Sequence, residues 1–210
     1  MKVKVCGMTN MQQIKELEEM GVDFAGLIFH KPSPRYVMNG IESPSLFTKE
    51  NIRIKKVGVF VNESVETVLG TAKEWRLDMV QLHGDESPAF CKQVSLAVST
   101  TKVFRVGQAI DFNNIMAYNN VVDYFLFDTL GEQYGGTGNQ FDWKLLSSLD
   151  LKKPYFLSGG IGSEDVQKIN DFCKLKTSLF SLDLNSKFET VPGLKDMEKV
   201  SQFLSNIKTK

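Results

Sequence analysis

The chain has 210 residues, 42% hydrophobic and 24% charged, which is globular composition and excludes disorder over most of its length. Its 25 basic and 25 acidic residues cancel, so no global field holds a polyanion or an anionic membrane surface, and any anion site must be local. Neither nucleic acid nor a membrane is an expected partner, and the longest apolar stretches, such as Phe24 to Phe29, are about a third of the length that spans a bilayer.

In chain order, VKVC at 3–6 reads as a first strand. It is followed by helical spacing at Met11, Ile14, Leu17 and Met20, with Thr9 or Asn10 as N-cap and Gly21 as the stop. DFAGLIF at 23–29 is the second strand, and its loop, KPSPRYVMNG at 31–40, carries two prolines that prevent an immediate helix. KKVGVFV at 55–61 is the third, followed by a helix on Val65, Val68, Leu69 and Ala72 that Ser64 and Thr67 open. DMVQLH at 78–83, TKVFRV at 101–106 and DYFLFD at 123–128 are the next three strands. The polar stretch from Thr129 to Gln140, with Gly131, Gly135, Gly136 and Gly138, reads as a lid or binding loop. PYFLS at 154–158 leads through SGGIG at 158–162 to a helix opened by Ser163 with Glu164 and Asp165, and SLFSLDL at 178–184 is the eighth strand. Strand starts recur about every 20 to 32 residues, the length of one βα unit. The expected fold is a single (β/α)8 TIM barrel over 1–210, with the open doubly wound sheet, usually of fewer strands, as its rival.

Active sites of such barrels lie at the carboxyl ends of the strands. Five reactive side chains stand there: Cys6 after strand one, Arg35 after strand two, His83 at strand four, Asp128 at strand six and Asp183 at strand eight. Singly each has an ordinary structural reading: a small buried hydrophobe for Cys6, a cap for Asp128, a solvated charge for Arg35. Their shared rim is what points to a site. Gly159 and Gly160 after strand seven, with Asn185 and Ser186 after strand eight, occupy the loops that often hold a phosphate in barrels, so a phosphorylated small substrate is expected. Cys6, Cys91 and Cys173 are odd in number and too widely spaced for a zinc ligand set, which leaves no metal site and fits free thiols in a reducing compartment. The amino terminus MKVKVCGMTN lacks the apolar run of a secretory signal, so a cytoplasmic location is expected.

KVCGMTN at 4–10, GLIFHKPSPRYV at 26–37, VGVFVNE at 57–63, QLHGDE at 81–86, FDTLGEQYGGTG at 127–138, FDW at 141–143, LSGGI at 157–161 and PGLKD at 192–196 resemble, in order, the motifs of the phosphoribosylanthranilate isomerases of tryptophan biosynthesis. The resemblance implies an Amadori rearrangement in a (β/α)8 barrel without metal or organic cofactor. It implies Cys6 as general base, Asp128 as general acid, Arg35 and Asp183 at the anthranilate end, and the glycine loops at the phosphate. His83 matches a motif position without an implied role beyond contact with substrate.

The residue types suit that chemistry. A carboxylic acid supplies the proton that opens the ribose ring, and the run from Tyr124 to Phe127 is a desolvating neighbourhood for Asp128. A free thiol ionises near 8.5, so Cys6 needs a nearby cation, and Lys4, two residues back on the same strand face, is the candidate. Lys187 stands where many members carry glycine, so its charge is expected to reach the phosphate or to point away. Indole-3-glycerol-phosphate synthase and the histidine-pathway isomerases fit less well, because Cys6 and Arg105 stand where catalytic lysine or aspartate would be needed. A catalytically silent barrel is the reading from another class, and the retained acid and base argue against it.

Overall fold

The structure, a computed structural model, describes residues 1–131, 140–147, 149, 151–175 and 178–208. Eight parallel strands close on themselves: β1 (Lys2–Cys6), β2 (Phe24–Ile28), β3 (Lys55–Phe60), β4 (Met79–Leu82), β5 (Ser99–Val106), β6 (Tyr124–Thr129), β7 (Tyr155–Leu157) and β8 (Leu179–Leu184), with β8 pairing back to β1. The helices are α1 (Met11–Glu19), α2 (Ser45–Lys49), α3 (Val65–Glu74), α4 (Pro88–Ser95), α5 (Phe112–Met116), α6 (Lys144–Ser147), α7 (Val166–Cys173) and α8 (Met197–Lys208). Among the described residues no helix is long and apolar enough to cross a membrane.

Strand alternation divides the interior in two. Val3, Val5, Leu27, Phe125, Phe127 and Leu182 face outward into the main core under the helices. Phe24, Val57, Met79, Val103, Leu126 and Phe156 face inward as a separate apolar plug, with Tyr124 and Phe180 against it. Phe24 meets Phe156 edge-on at 5.7 Å, and the Lys2 ammonium lies 5.6 Å from the Phe24 ring. The barrel is therefore packed rather than hollow, and inward polar side chains collect toward the carboxyl ends of the strands.

Local chemistry explains the element ends. Asn10 caps α1 by accepting from the Gln13 amide at 3.0 Å, while Thr9, the other candidate, donates instead to the Gly193 carbonyl at 2.8 Å. α1 stops with Met20 as C-cap and Gly21 at φ +73°, a left-handed position that glycine takes without strain. Ser64 caps α3 through the Thr67 amide. Ser163 does not cap a helix: Ser163–Asp165 is a 3-10 turn leading into α7, and the Asp165 carboxylate accepts from Gly162 N–H at 2.8 Å. The 31–40 segment ends in a second 3-10 turn, Val37–Asn39. One element has no counterpart in the expected order: an antiparallel hairpin, β9 (Glu189–Val191) with β10 (Leu194–Lys195), after β8.

Candidate active site

Cys6 ends β1 and points inward, opposite Gly26 of β2. A methyl group at position 26 would sit 2.7 Å from the Cys6 sulfur, so the thiol occupies space that only glycine leaves. Below it on the same face, Lys4 donates to both Asp183 oxygens at 2.9 and 3.0 Å, in register across the β1–β8 pair. Both are buried. Burial works against the charge on each, but Asp183 and Cys6 hold the Lys4 ammonium above its ordinary range, and the two short contacts favour the ionised pair.

That pairing gives the buried Lys4 the carboxylate partner it needs and leaves it acting on Cys6 in the expected direction. Burial pushes the Cys6 thiol up; Lys4 pulls it down, yet Asp183 cancels part of that pull, and the net direction is upward. Lys4 is the foremost cation acting on Cys6, by charge and by hydrogen bond, and burial outweighs it.

Asp128, at the end of β6, accepts from the Thr129 amide at 2.8 Å through Oδ1, and its Oδ2 lies 3.4 Å from His83 Nε2. Gln81 Nε2 lies 3.0 Å from His83 Nδ1. With the Gln81 amide donating, Nδ1 accepts and the ring proton sits on Nε2, the nitrogen nearer Asp128. That buried Nε2 has no hydrogen-bond partner, its 3.4 Å contact with Asp128 falling short of one. The desolvating run expected beside Asp128 is half as large as the sequence suggests. Only Tyr124 and Leu126 share its face, since Phe125 and Phe127 belong to the outer core.

Arg35, in the loop after β2, is held side-on by Glu189. Its Nε is 2.9 and 3.0 Å from the two carboxylate oxygens and its Nη2 is 2.7 Å from one of them. Two of the five guanidinium N–H groups are thus engaged, leaving the end of the fork available. Glu189 also accepts from Lys195 Nζ at 2.6 Å and Gly193 N–H at 3.1 Å. Burial opposes that carboxylate, but Arg35 and Lys195 together hold it below its ordinary range.

Across the cavity, Gly159 and Gly160 are both left-handed, at φ +89° and +65°. A side chain at Gly159 would run into the Thr129 amide at 2.7 Å, which fixes how closely the loop after β7 approaches β6. Asn185 and Ser186 open the loop after β8. Lys187 Nζ donates to Glu164 Oε1 at 2.9 Å and so ties the two loops together at the surface.

Cys6, Arg35, His83, Asp128, Asp183, Gly159, Gly160, Asn185 and Ser186 all line one cavity at the carboxyl ends of the strands. Gly135, Gly136 and Gly138 of the expected lid loop lie outside the described residues. The same cavity is lined by residues that sequence reasoning passed over: His30 and Ser33, which stand beside Arg35 in the loop after β2, and Gln81, two residues before His83 and therefore on its face. Lys187, expected either to bring its charge to the phosphate or to point away, lines the cavity while its ammonium pairs with Glu164. Among the described residues no group of three His, Cys, Asp or Glu side chains is placed to hold a metal ion.

Comparison with known proteins places the whole chain in one family. The sequence pattern of the N-(5'phosphoribosyl)anthranilate (PRA) isomerase family matches residues 3–206. An N-(5'-phosphoribosyl)anthranilate isomerase of Parabacteroides distasonis is 39% identical over 208 residues, covering 99% of this chain and 93% of that protein. The crystal structure of the phosphoribosyl anthranilate isomerase from Thermotoga maritima superimposes with a TM-score of 0.85 at 32% identity, covering 100% of this chain and 99% of that one. A phosphoribosyl anthranilate isomerase in complex with reduced 1-(o-carboxyphenylamino)-1-deoxyribulose 5-phosphate superimposes at 0.82 with 30% identity, again over 100% and 99% of the two chains. With sequence and fold matched from end to end, the chain belongs to the N-(5'-phosphoribosyl)anthranilate isomerase family.

Proposed function

We propose that the chain converts N-(5-phosphoribosyl)anthranilate into 1-(2-carboxyphenylamino)-1-deoxyribulose 5-phosphate in tryptophan biosynthesis, by general acid and base catalysis with Asp128 and Cys6. The single observation that carries the assignment is that these two groups, from β6 and β1, line the same cavity between a basic side chain and a glycine loop.

Asp128 gives its proton to the ring oxygen as the C1–O bond breaks, with the anthranilate nitrogen lone pair forming the C1=N bond. His83 Nε2, 3.4 Å from Asp128 Oδ2, flanks the carboxyl that makes the transfer. The resulting iminium acidifies the C2 hydrogen, and its positive charge favours loss of the Cys6 proton to solvent, offsetting the burial that keeps the resting thiol protonated. Cys6 takes the C2 proton to give an enolamine, which tautomerises to the ketone. The iminium nitrogen serves as electron sink, so these steps call on no cofactor.

Arg35 and Asp183 face the anthranilate end, where the free end of the Arg35 fork suits the substrate carboxylate. The phosphate goes to Gly159, Gly160, Asn185 and Ser186. A cytoplasmic location accords with the free thiols of Cys6, Cys91 and Cys173. Adding the chain to freshly made phosphoribosylanthranilate should extinguish its fluorescence. Cys6→Ser and Asp128→Asn should each slow that decay by about 10²- to 10⁴-fold; full activity in both variants would remove the mechanism.

A further inference from the structure

Gln140, at the end of the polar stretch after β6, makes a set of contacts that the proton transfers do not use. Its Nε2 donates to the Gly160 carbonyl at 2.9 Å and to Asp165 Oδ2 at 2.6 Å, while its Oε1 accepts from Lys168 Nζ at 2.7 Å. Two acceptors at one end and an ammonium at the other leave the amide one favourable orientation, since a flipped amide would set oxygen against oxygen and N–H against ammonium. Its neighbour is fixed as well: Phe141 N–H donates at 3.2 Å to Thr129 Oγ1, the side chain against which Gly159 packs. Lys168 in turn lies 4.0 Å from the centre of the buried Trp143 ring.

The bond to Gly160 falls where the backbone is free to turn. Gly160 is left-handed at φ +65° and has no Cβ, so the peptide that carries its carbonyl can rotate at little steric cost. That peptide is trans, and in a trans peptide the carbonyl and the following N–H point in opposite directions. A Gly160 carbonyl held by Gln140 therefore sends the Ile161 N–H the other way. Gly160 and Ile161 line the cavity and, among the described residues, Gln140 does not, so the carbonyl is turned outward and the N–H inward. The far side of Ile161 is pinned by the same partners: Gly162 N–H donates to Asp165 Oδ2 at 2.8 Å, and Asp165 N–H donates to the Gly162 carbonyl at 3.1 Å.

We propose that Gln140 is a positioning residue for the substrate phosphate, latching the Gly160–Ile161 peptide so that it offers the phosphate the Ile161 N–H and not a carbonyl oxygen, an inference that rests on the phosphate lying in the loops after β7 and β8. Without the latch the peptide turns over more readily, and an oxygen facing the phosphate repels it. The bonds of Gln140 run to the loop after β7 and to α7, so its removal acts on phosphate binding rather than on proton transfer at Asp128 and Cys6.

Inorganic phosphate is the probe for the test. In proton–nitrogen correlation spectra of the wild-type chain, titrated phosphate should move the Ile161 amide proton downfield, with Ile161→Val identifying the signal. In Gln140→Leu, which fills the space without donating, the dissociation constant for inorganic phosphate and the KM for phosphoribosylanthranilate should both rise about tenfold, with kcat changed far less. Gln140→Glu, which sets carboxylate oxygens against Gly160 and Asp165, should weaken phosphate in the same way and serves if the leucine variant does not fold. A merely structural role would lower the urea midpoint and leave the phosphate dissociation constant where it was. That result in a folded variant, or phosphate that shifts the Gly159 and Gly160 amides but not Ile161, overturns the inference while the phosphate keeps its place. A wild-type chain whose loop amides all ignore phosphate removes the placement of the phosphate itself, and the inference with it.

Discussion

A methyl group at position 26 has nowhere to go except onto the Cys6 sulfur or the Cys6 Cα, at 2.7 and 2.9 Å. Gly26→Ala must therefore move either the thiol or the β1–β2 pair. Overpacking of this kind costs about 1–3 kcal/mol, and a base displaced by a fraction of an ångström loses its alignment with the C2 hydrogen. The expected outcome is a fall in kcat of about tenfold or more with a lower urea midpoint. Gly70 is the contrast within one chain: it lies in α3, and a Cβ there meets nothing within 4 Å. Gly70→Ala should stabilise by about 0.5–1 kcal/mol, since alanine restricts the unfolded chain and favours the helix. Parallel urea curves and steady-state kinetics would check both, and a Gly26→Ala chain with unaltered kcat would mean that the thiol position is unimportant.

At the scale of elements, the turn that presents His83 is held from beneath by Glu86. That carboxylate accepts from the Asn62 and Gly84 amides at 2.9 and 3.1 Å and from Lys102 Nζ at 2.8 Å, and Lys102 also donates to the Gly84 carbonyl at 2.7 Å. The loops after β3 and β4 and the strand β5 thus share one buried ion pair. Glu86→Ala strands the Lys102 charge and two amides, which should cost about 3–5 kcal/mol. The double variant Glu86→Leu with Lys102→Met should recover part of that loss, because no buried charge is left unpaired. Denaturant midpoints of the single and double variants decide the matter: a double variant less stable than either single one contradicts it. This support is also where the sequence is hardest to read. The eight barrel strands are legible because β-branched and aromatic runs recur at βα spacing, and the rim residues follow from strand ends alone. Glu86, Lys102, Glu189 and Lys195 carry no such signal, because a charged residue does not announce its partner; Arg35 and Glu189 are 154 positions apart. The β9–β10 hairpin was equally hidden, with strands of three and two residues too short to show a period. Ser163 misled for a related reason: the helix-start composition is present, but the cap position falls one residue earlier, at Gly162, whose N–H the Asp165 carboxylate accepts.

For the molecule as a whole, the buried thiols set how stability depends on alkaline pH. Cys91 of α4 is fully buried, and its thiol is pushed from 9.0 up to about 12, by burial first, with Glu86 adding to the shift and Lys102 opposing it. In the unfolded chain the thiol ionises near 9.0, whereas in the folded chain it keeps its proton until about 12. Between those values the folded state binds more protons, so stability falls as pH rises; the contribution is whole below pH 9 and is lost as pH climbs through the window. Cys6 and Lys4, also raised, act in the same sense, and Lys195, lowered, acts in the opposite one. On the acid side Glu189, its carboxyl lowered, stabilises above the ordinary glutamate range and loses that effect as pH falls below it, while Asp183, raised by burial, acts in the opposite sense. Cys91→Ala removes one of the alkaline contributions. It should lower stability near neutrality through the small cavity it leaves, and should flatten the decline between pH 9 and 12 by about one proton, or about 1.4 kcal/mol per pH unit. Urea midpoints of the two chains across that range give the slopes directly. Parallel slopes would mean that Cys91 ionises alike in the folded and unfolded chains, contrary to its burial beneath the Glu86–Lys102 pair.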